Sequence, residues 1–343
     1  MASGWQLDLL ALHVRIAGMT TMTLHAKPLP LTAIQARTSA ELIERLTASI
    51  QAGAVVSHEK LRLILAAFIA RGHLLLEDVP GIGKTLVAKA LAKSLAADFK
   101  RVQCTPDLLP SDITGSSIYD QRRQEFVFVP GPLFAHVVLV DEINRATPRT
   151  QASLLEALAE GQVTTDGVTR LLAQPFFVIA TQNPVETAGT FPLPEAQLDR
   201  FLFALNLGYP GEEAELLILE REEHSNPLDD VQAVLSLDDI LHLQESALRV
   251  EVARPVKEYI VRLVGATRGH PDVILGVSPR GGVAVQRAAQ ATALLNGRDF
   301  VTPDDVKVVA PAAMAHRLLT RARGLQAAQA VINELLDQVE VPV

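Results

Sequence analysis

Apolar positions recur at helical spacing over residues 38–52 (TSAELIERLTASIQA), with Gly53 as the stop, and Ser57 is placed to cap a second helix through about Ile69. The texture then changes. HLLLED (73–78) is a short unbroken apolar run, the mark of a strand buried on both faces, and it meets PGIGKT and a helical stretch at 86–96. Four further runs read as strands: FKRVQC (99–104), HVVLVDE (136–142), FFVIATQNP (176–184) and LFALNL (202–207). A helix is predicted at 148–159. Two hairpins are predicted as well. GSSIYD and EFVFVP flank QRRQ at 115–130, and QVTTDGVTRLL (162–172) carries a central Asp-Gly turn. Arg122 and Arg123 at the first tip read equally as solvated charges or as contacts to an acidic partner.

After Gly208-Tyr209-Pro210-Gly211 helices dominate and strands disappear, with helices predicted at 211–224, 236–248, 255–269, 279–296, 303–318 and about 326–339. Ser236 before LDDIL, and Thr302-Pro303 with Asp305, supply capping signals. The pattern predicts an α/β domain over 38–208 and a helical domain over 209–343. Residues 1–37 read as an N-terminal extension, either disordered or arising from an upstream start, with Met19 and Met22 as alternative starts.

Composition narrows the classes. At roughly 100–200 residues per domain, 343 residues hold about two domains, and 48% hydrophobic against 20% charged residues excludes wholesale disorder. The formal charge of −8 weighs against unspecific attraction to nucleic acid. The one cysteine, Cys104, permits neither an internal disulfide nor a cysteine zinc cage and fits a reducing, cytoplasmic setting. The longest apolar stretch, Leu63–Ala70, falls short of the about 20 residues that a membrane span needs. Asp8, His13 and Arg15 interrupt residues 1–24, so no signal peptide is expected. No HExxH or GxSxG motif occurs.

The chemistry concentrates after the strands. Residues 78–85, Asp-Val-Pro-Gly-Ile-Gly-Lys-Thr, satisfy the end of G-x-x-x-x-G-K-[ST], with Asp78 where the first glycine is expected. Gly81 and Gly83 let successive N–H groups turn inward, and the following helix adds its positive end. Lys84 then reaches β- and γ-phosphates, and the Thr85 hydroxyl ligates Mg²⁺. A Rossmann reading fails, because GIGKTL lacks the third glycine. Asp141 and Glu142 end the most strand-like segment; in a parallel sheet they face the same crevice, Asp141 toward the metal and Glu142 toward the attacking water. Asn183 follows another buried strand and is placed either to bond a γ-phosphate or simply to make a turn. Arg200, in EAQLDRF, reads as a helix-end salt bridge or as a finger to a neighbouring subunit. Arg280 opens a helix, where the dipole disfavours a cation unless a phosphate anion compensates.

Together LLLEDVPGIGKT, RVQCTPDLLPSDITGS, GPLFAHVVLVDEINRA, QASLLEALAEGQVTTDG, FFVIATQNPVETAGTFPLPEAQLDRF, SPRG and VTPDDVKVVAPAAMAHRL resemble the MoxR family of AAA+ ATPases over about residues 38–320. The resemblance implies an α/β P-loop NTPase fold: an αβα domain with a five-stranded parallel sheet, then an all-α lid. It implies ATP and Mg²⁺ as cofactors, with Pro80, Gly81, Ile82, Gly83, Lys84, Thr85 and Leu86 as the Walker A loop. Asp141 and Glu142 become Walker B, Asn183 sensor 1, Arg280 sensor 2 and Arg200 the arginine finger. The two hairpins match the helix-2 insert and the pre-sensor hairpin. Assembly as a homo-oligomeric, usually hexameric ring is implied, with a protein client and a von Willebrand factor A-domain partner. Two departures stand out. Cys104 replaces a larger hydrophobe, and Val55-Val56-Ser57-His58-Glu59 lacks the usual Gly-Gln beside adenine, leaving Val55 and Val56 to pack on the base. Chaperone-like ATP hydrolysis is the leading expectation; a nucleotide-gated scaffold, a DNA motor and a chelatase-type motor are the alternatives.

Overall fold

The computed structural model describes residues 29–79, 81–183, 189–224 and 226–342. Helix α1 (Ala33–Gly53) begins earlier than the apolar pattern predicts, because Thr32 and Gln35 form a reciprocal capping box. Helix α2 (His58–Ile69) is capped by Ser57, whose side chain accepts from Lys60 N. There follow β1 (Leu74–Glu77), α3 (Lys84–Ser94), β2 (Phe99–Gln103), the short α4 (Pro110–Thr114), the hairpin β3 (Gly115–Asp120) and β4 (Glu125–Pro130), and β5 (Val137–Asp141). Next come α5 (Pro148–Glu160), the hairpin β6 (Gln162–Thr165) and β7 (Val168–Leu171), β8 (Phe177–Gln182), α6 (Glu195–Leu198) and β9 (Phe203–Leu205). The main sheet has the order β2-β5-β8-β1-β9, and every pairing in it is parallel. The expected five-stranded parallel sheet is present.

The second part comprises α7 (Glu212–His224), α8 (Leu237–Arg249), α9 (Arg254–Thr267), β10 (Val273–Leu275), α10 (Pro279–Leu295), α11 (Pro303–Met314), β11 (Leu319–Thr320) and α12 (Leu325–Gln338). Two expectations are corrected here. Strands do not vanish after 208: β10 and β11 pair antiparallel, a contact between segments far apart in sequence that no local pattern announces. The helix expected over 303–318 stops at Met314 and becomes a 3-10 turn, Ala315–Arg317. Tertiary bonds dictate that ending. His316 Nε2 bonds the Phe201 carbonyl, and the Arg317 guanidinium donates to the carbonyls of Asp199, Phe201, Leu202 and Ala313.

Strand alternation divides the core in two. Leu74, Leu76, Leu139, Ile179 and Phe203 face one apolar cluster, whereas Leu75, Val138, Val140, Val178 and Ala180 face the other. The first cluster continues without a break into α1, α2 and the helices α8 to α12. Compositional change at 208 is therefore not a packing boundary: α1 lies against both α3 and α10.

His73, just ahead of β1, is buried with both ring nitrogens satisfied. Val178 N–H donates to Nδ1 and Nε2 donates to the Leu158 carbonyl, each at 3.1 Å. Burial pulls its pKa down to about 4, with the Leu158 bond opposing. The folded value lies below the unfolded one, so this contribution is complete above about pH 6.5 and is lost as pH falls toward 4. Replacing His73 with Asn should remove about 2 kcal/mol from the stability lost between about pH 7 and pH 5. Urea unfolding at both pH values measures this, and an unaltered pH slope would count against the assignment.

Candidate functional site

The sequence from Asp78 to Lys84 joins β1 to α3 at the carboxyl edge of the sheet. Gly81 and Gly83 have φ of +89° and +87°, the left-handed region that a side chain disfavours, and a Cβ at either would meet open space. The constraint is therefore conformational, and the space above the loop is free for a ligand. Gly83 also stands at the N-cap of α3 and provides no side-chain cap, leaving the first-turn amides of that helix aimed outward. Lys84 Nζ donates to the carbonyls of Asp78 and Val79, both at 3.0 Å. Its pKa is lowered by burial, against the opposing pull of Asp78, Asp141 and Glu142.

A chamber of about 280 Å³ lies in front of the loop. Lys84, Thr85, Asp141, Glu142 and Asn183 all line it. Thr181, on β8 between the two motif strands, ties the acidic pair together: its hydroxyl accepts from Glu142 N (2.9 Å) and donates to Asp141 Oδ1 (3.3 Å). Asp141 Oδ2 receives Arg101 Nε at 2.6 Å. Glu142 adopts φ +55°, a strained conformation for a non-glycine residue, and its carboxylate meets Arg145 Nε at 2.9 Å.

Gly81, Gly83 and Leu86 also border a larger, mostly apolar cavity of about 560 Å³. Val55, Val56 and Ile82 line it, together with Leu207 to Gly211 and one side of α7, including Ile218 and Leu219. Asp78 holds the near edge of this cavity by accepting from Leu207 N (2.7 Å) and Gly208 N (3.2 Å). Burial raises the Asp78 pKa, and these amides and Lys84 oppose the rise. The departure from glycine at 78 thus has a structural use that the motif alone did not disclose.

Arg200 and Arg280 lie outside both cavities. Arg200 Nη1 donates to the Leu155 carbonyl of α5 at 2.5 Å. Where a phosphate is expected near Arg280, the structure has the Asp199 carboxylate, with Nε at 3.8 Å. Asp199 also binds the buried Arg317 at 2.6 Å, so one carboxylate joins the loop carrying Arg200 to two arginines from beyond residue 208. Arg123 faces Asp120 (3.8 Å) and Glu125 (3.9 Å) in its own hairpin. Pro80 lies outside the described residues, as do residues 184–188 after Asn183 and residues 1–28 of the expected extension. Sequence reasoning passed over Arg101 and Thr181 and gave Asp78 no role beyond a missing glycine, because their partners lie far along the chain. The alternation of β2, which aligns Arg101 with Gln103 and hence with Asp141, was the available signal for the first.

The donor set suits a magnesium-bound nucleoside triphosphate. An open glycine cradle, a lysine and a helix N-terminus are anion ligands; Thr85 and Asp141 are hard oxygen ligands; the adjoining cavity has apolar walls for a base. Among the described residues no cluster of three or more His, Cys, Asp or Glu gathers as an alternative metal site, and no helix is long and apolar enough to cross a membrane.

Known proteins resemble this chain over most of its length. Residues 73–203 match the model of the ATPase family associated with various cellular activities, and residues 265–335 match the AAA lid domain. The uncharacterized protein YeaC of Bacillus subtilis is 54% identical, the match covering 82% of this chain and 89% of YeaC. Chaperone MoxR1 of Mycobacterium tuberculosis is 41% identical, over 88% and 82% of the two chains. A crystal structure from Cytophaga hutchinsonii, described as a candidate ATPase, superposes with a TM-score of 0.83 at 35% identity, covering 90% of this chain and 97% of that one.

The Thr181 bridge is testable without a ligand. Thr181→Val removes an acceptor from the Glu142 N–H and should destabilise the fold by about 1–3 kcal/mol in chemical denaturation. Thr181→Ser should restore most of that loss, and equal stability of the valine variant would show that the bridge is dispensable.

Proposed function

The chain belongs to the MoxR family of AAA+ ATPases, and on that premise we propose that it hydrolyses Mg²⁺-bound ATP to remodel or mature partner proteins. One observation carries the reading. The glycine loop, Lys84 and Thr85 face Asp141 and Glu142 across a single chamber that opens on an apolar cavity. Loop amides from Gly81 to Leu86 and the Lys84 ammonium bind the phosphates. Val55, Val56, Ile82 and Leu86 take the adenine ring. Thr85 and Asp141 hold the metal, which when bound neutralises charge on the β- and γ-phosphates.

Glu142 acts as the base that orients and deprotonates water, and Asn183 holds the γ-phosphate or that water. Both line the same chamber as Lys84, which supports these roles. Arg280 exchanges Asp199 for a phosphate oxygen as the lid rotates, and Arg200 completes the site of a neighbouring copy in a hexameric ring. The pairing of both segments through Asp199 supports a concerted movement. A von Willebrand factor A-domain protein is the proposed partner, a protein the client and the cytoplasm the location. The net charge of −8 favours protein over nucleic acid as the target.

Glu142→Gln should retain bound ATP while turnover falls by about 10²–10⁴-fold, the range for a positioned base. Lys84→Ala should lose tight nucleotide binding. Phosphate release and titration with a fluorescent ATP analogue measure the two effects. Near-normal turnover in the first variant would remove Glu142 from its role, and unchanged binding in the second would refute the phosphate loop.

A further inference from the structure

Arg101 has no part in the assignment above, yet it makes the closest polar contact of Asp141. It projects from β2, the edge strand of the sheet, with its side chain 51% exposed against 10% for the Asp141 side chain. Nε donates to Asp141 Oδ2 at 2.6 Å, and Nη2 donates to Gln103 Oε1 at 3.2 Å. Thr181 Oγ1 donates to the other carboxylate oxygen. Both oxygens of the acid proposed to hold the metal are therefore engaged, one of them by a full positive charge. The chamber's second cation, Lys84, is turned onto the carbonyls of Asp78 and Val79.

A guanidinium and a divalent cation at contact distance from one carboxylate repel each other, and only one of them is a member of the protein. We propose that Arg101 is a resident counter-ion that competes with Mg²⁺ for Asp141 and sets the magnesium concentration at which nucleotide is held. It is a positioning residue, acting through Asp141. The edge location makes exchange feasible: β2 has a neighbour on one side only, β5, and the exposed half of the Arg101 side chain has solvent to move into. In the metal-free protein the same guanidinium offsets the repulsion between Asp141 and incoming phosphates. Its removal should thus have opposite effects with and without the metal. The inference rests on the Mg-nucleotide reading of the site.

The test is a magnesium titration of the full-length protein with a fluorescent ATP analogue, comparing wild type with Arg101→Gln. The half-saturating magnesium concentration should fall by about three- to tenfold, the value of one partly exposed charge pair, while affinity in EDTA should weaken. An unchanged or raised magnesium requirement overturns the proposal. Weakening both with and without magnesium, together with a raised requirement, identifies Arg101 as a phosphate ligand and overturns it as well. Arg101→Lys keeps the charge and the stem, and serves if the glutamine variant does not fold; its requirement should shift in the same direction by less, and no shift overturns the proposal. Wild-type protein that binds no nucleotide at any magnesium concentration would refute the function proposed above, and this inference with it. Nucleotide binding by wild type with no shift in the variants refutes the role of Arg101 alone.

Discussion

Parallel register across three central strands is the constraint on which the site depends. Leu139 is level with Ile179, which is level with Leu74; one step on, Val140, Ala180 and Leu75 align. The three chains consequently leave the sheet at one height. From that edge emerge Asp141 and Glu142, Thr181 through Asn183, and the loop that begins at Asp78. A slip of one residue in β5 would send Asp141 to the opposite face and place Val140 at the chamber. The apolar runs prevent it, because each strand buries side chains on both faces, and the two clusters demand different residues.

The charged groups of the site are each engaged by the protein itself. Lys84 rests on two carbonyls, Asp141 on Arg101 and Glu142 on Arg145. Burial makes this necessary: a desolvated ion without a partner costs several kcal/mol, so the fold provides substitutes of the correct sign. Ligand recognition at such a site is an exchange of partners rather than a filling of free valences. Its net energy is the difference between two sets of ionic bonds, which is why loosely held partners on exposed side chains matter as much as the groups that meet the ligand.

Local chemistry was what the sequence made legible. Short apolar runs marked β1, β5, β8 and β9, the Asp-Gly turn marked the hairpin from Gln162 to Leu171, and Gly81, Gly83, Lys84 and Thr85 marked the phosphate loop. Pairings across long separations were hidden. Arg101 reads as an ordinary charge on a strand until β2 is laid beside β5, and Asp78 reads as a failed glycine until the β9 exit is brought over it. Arg280 was read as needing a phosphate, and periodicity along α10 carries no information that the Asp199 carboxylate stands beside it. The same limit applies to β10 and β11, whose partner strands are more than forty residues apart.

Asp78 also ties the phosphate loop to the exit of β9. It begins the phosphate loop, and its carboxylate fixes Leu207 and Gly208 at the point where the chain leaves β9 for α7. Gly208 has φ +74°, a conformation in which glycine is favoured, and Arg221 of α7 reaches back to the carbonyls of Gln51 and Ala52 at the end of α1. The apolar cavity is thus walled on one side by the loop and α1–α2 junction and on the other by α7. Any occupant of that cavity would touch both walls, and the chain turns at Gly208 between β9 and α7. A ligand that favoured one separation of the walls would favour one angle of the lid, and the Asp199–Arg317 pair would be the contact that carried this preference to the segment bearing Arg200.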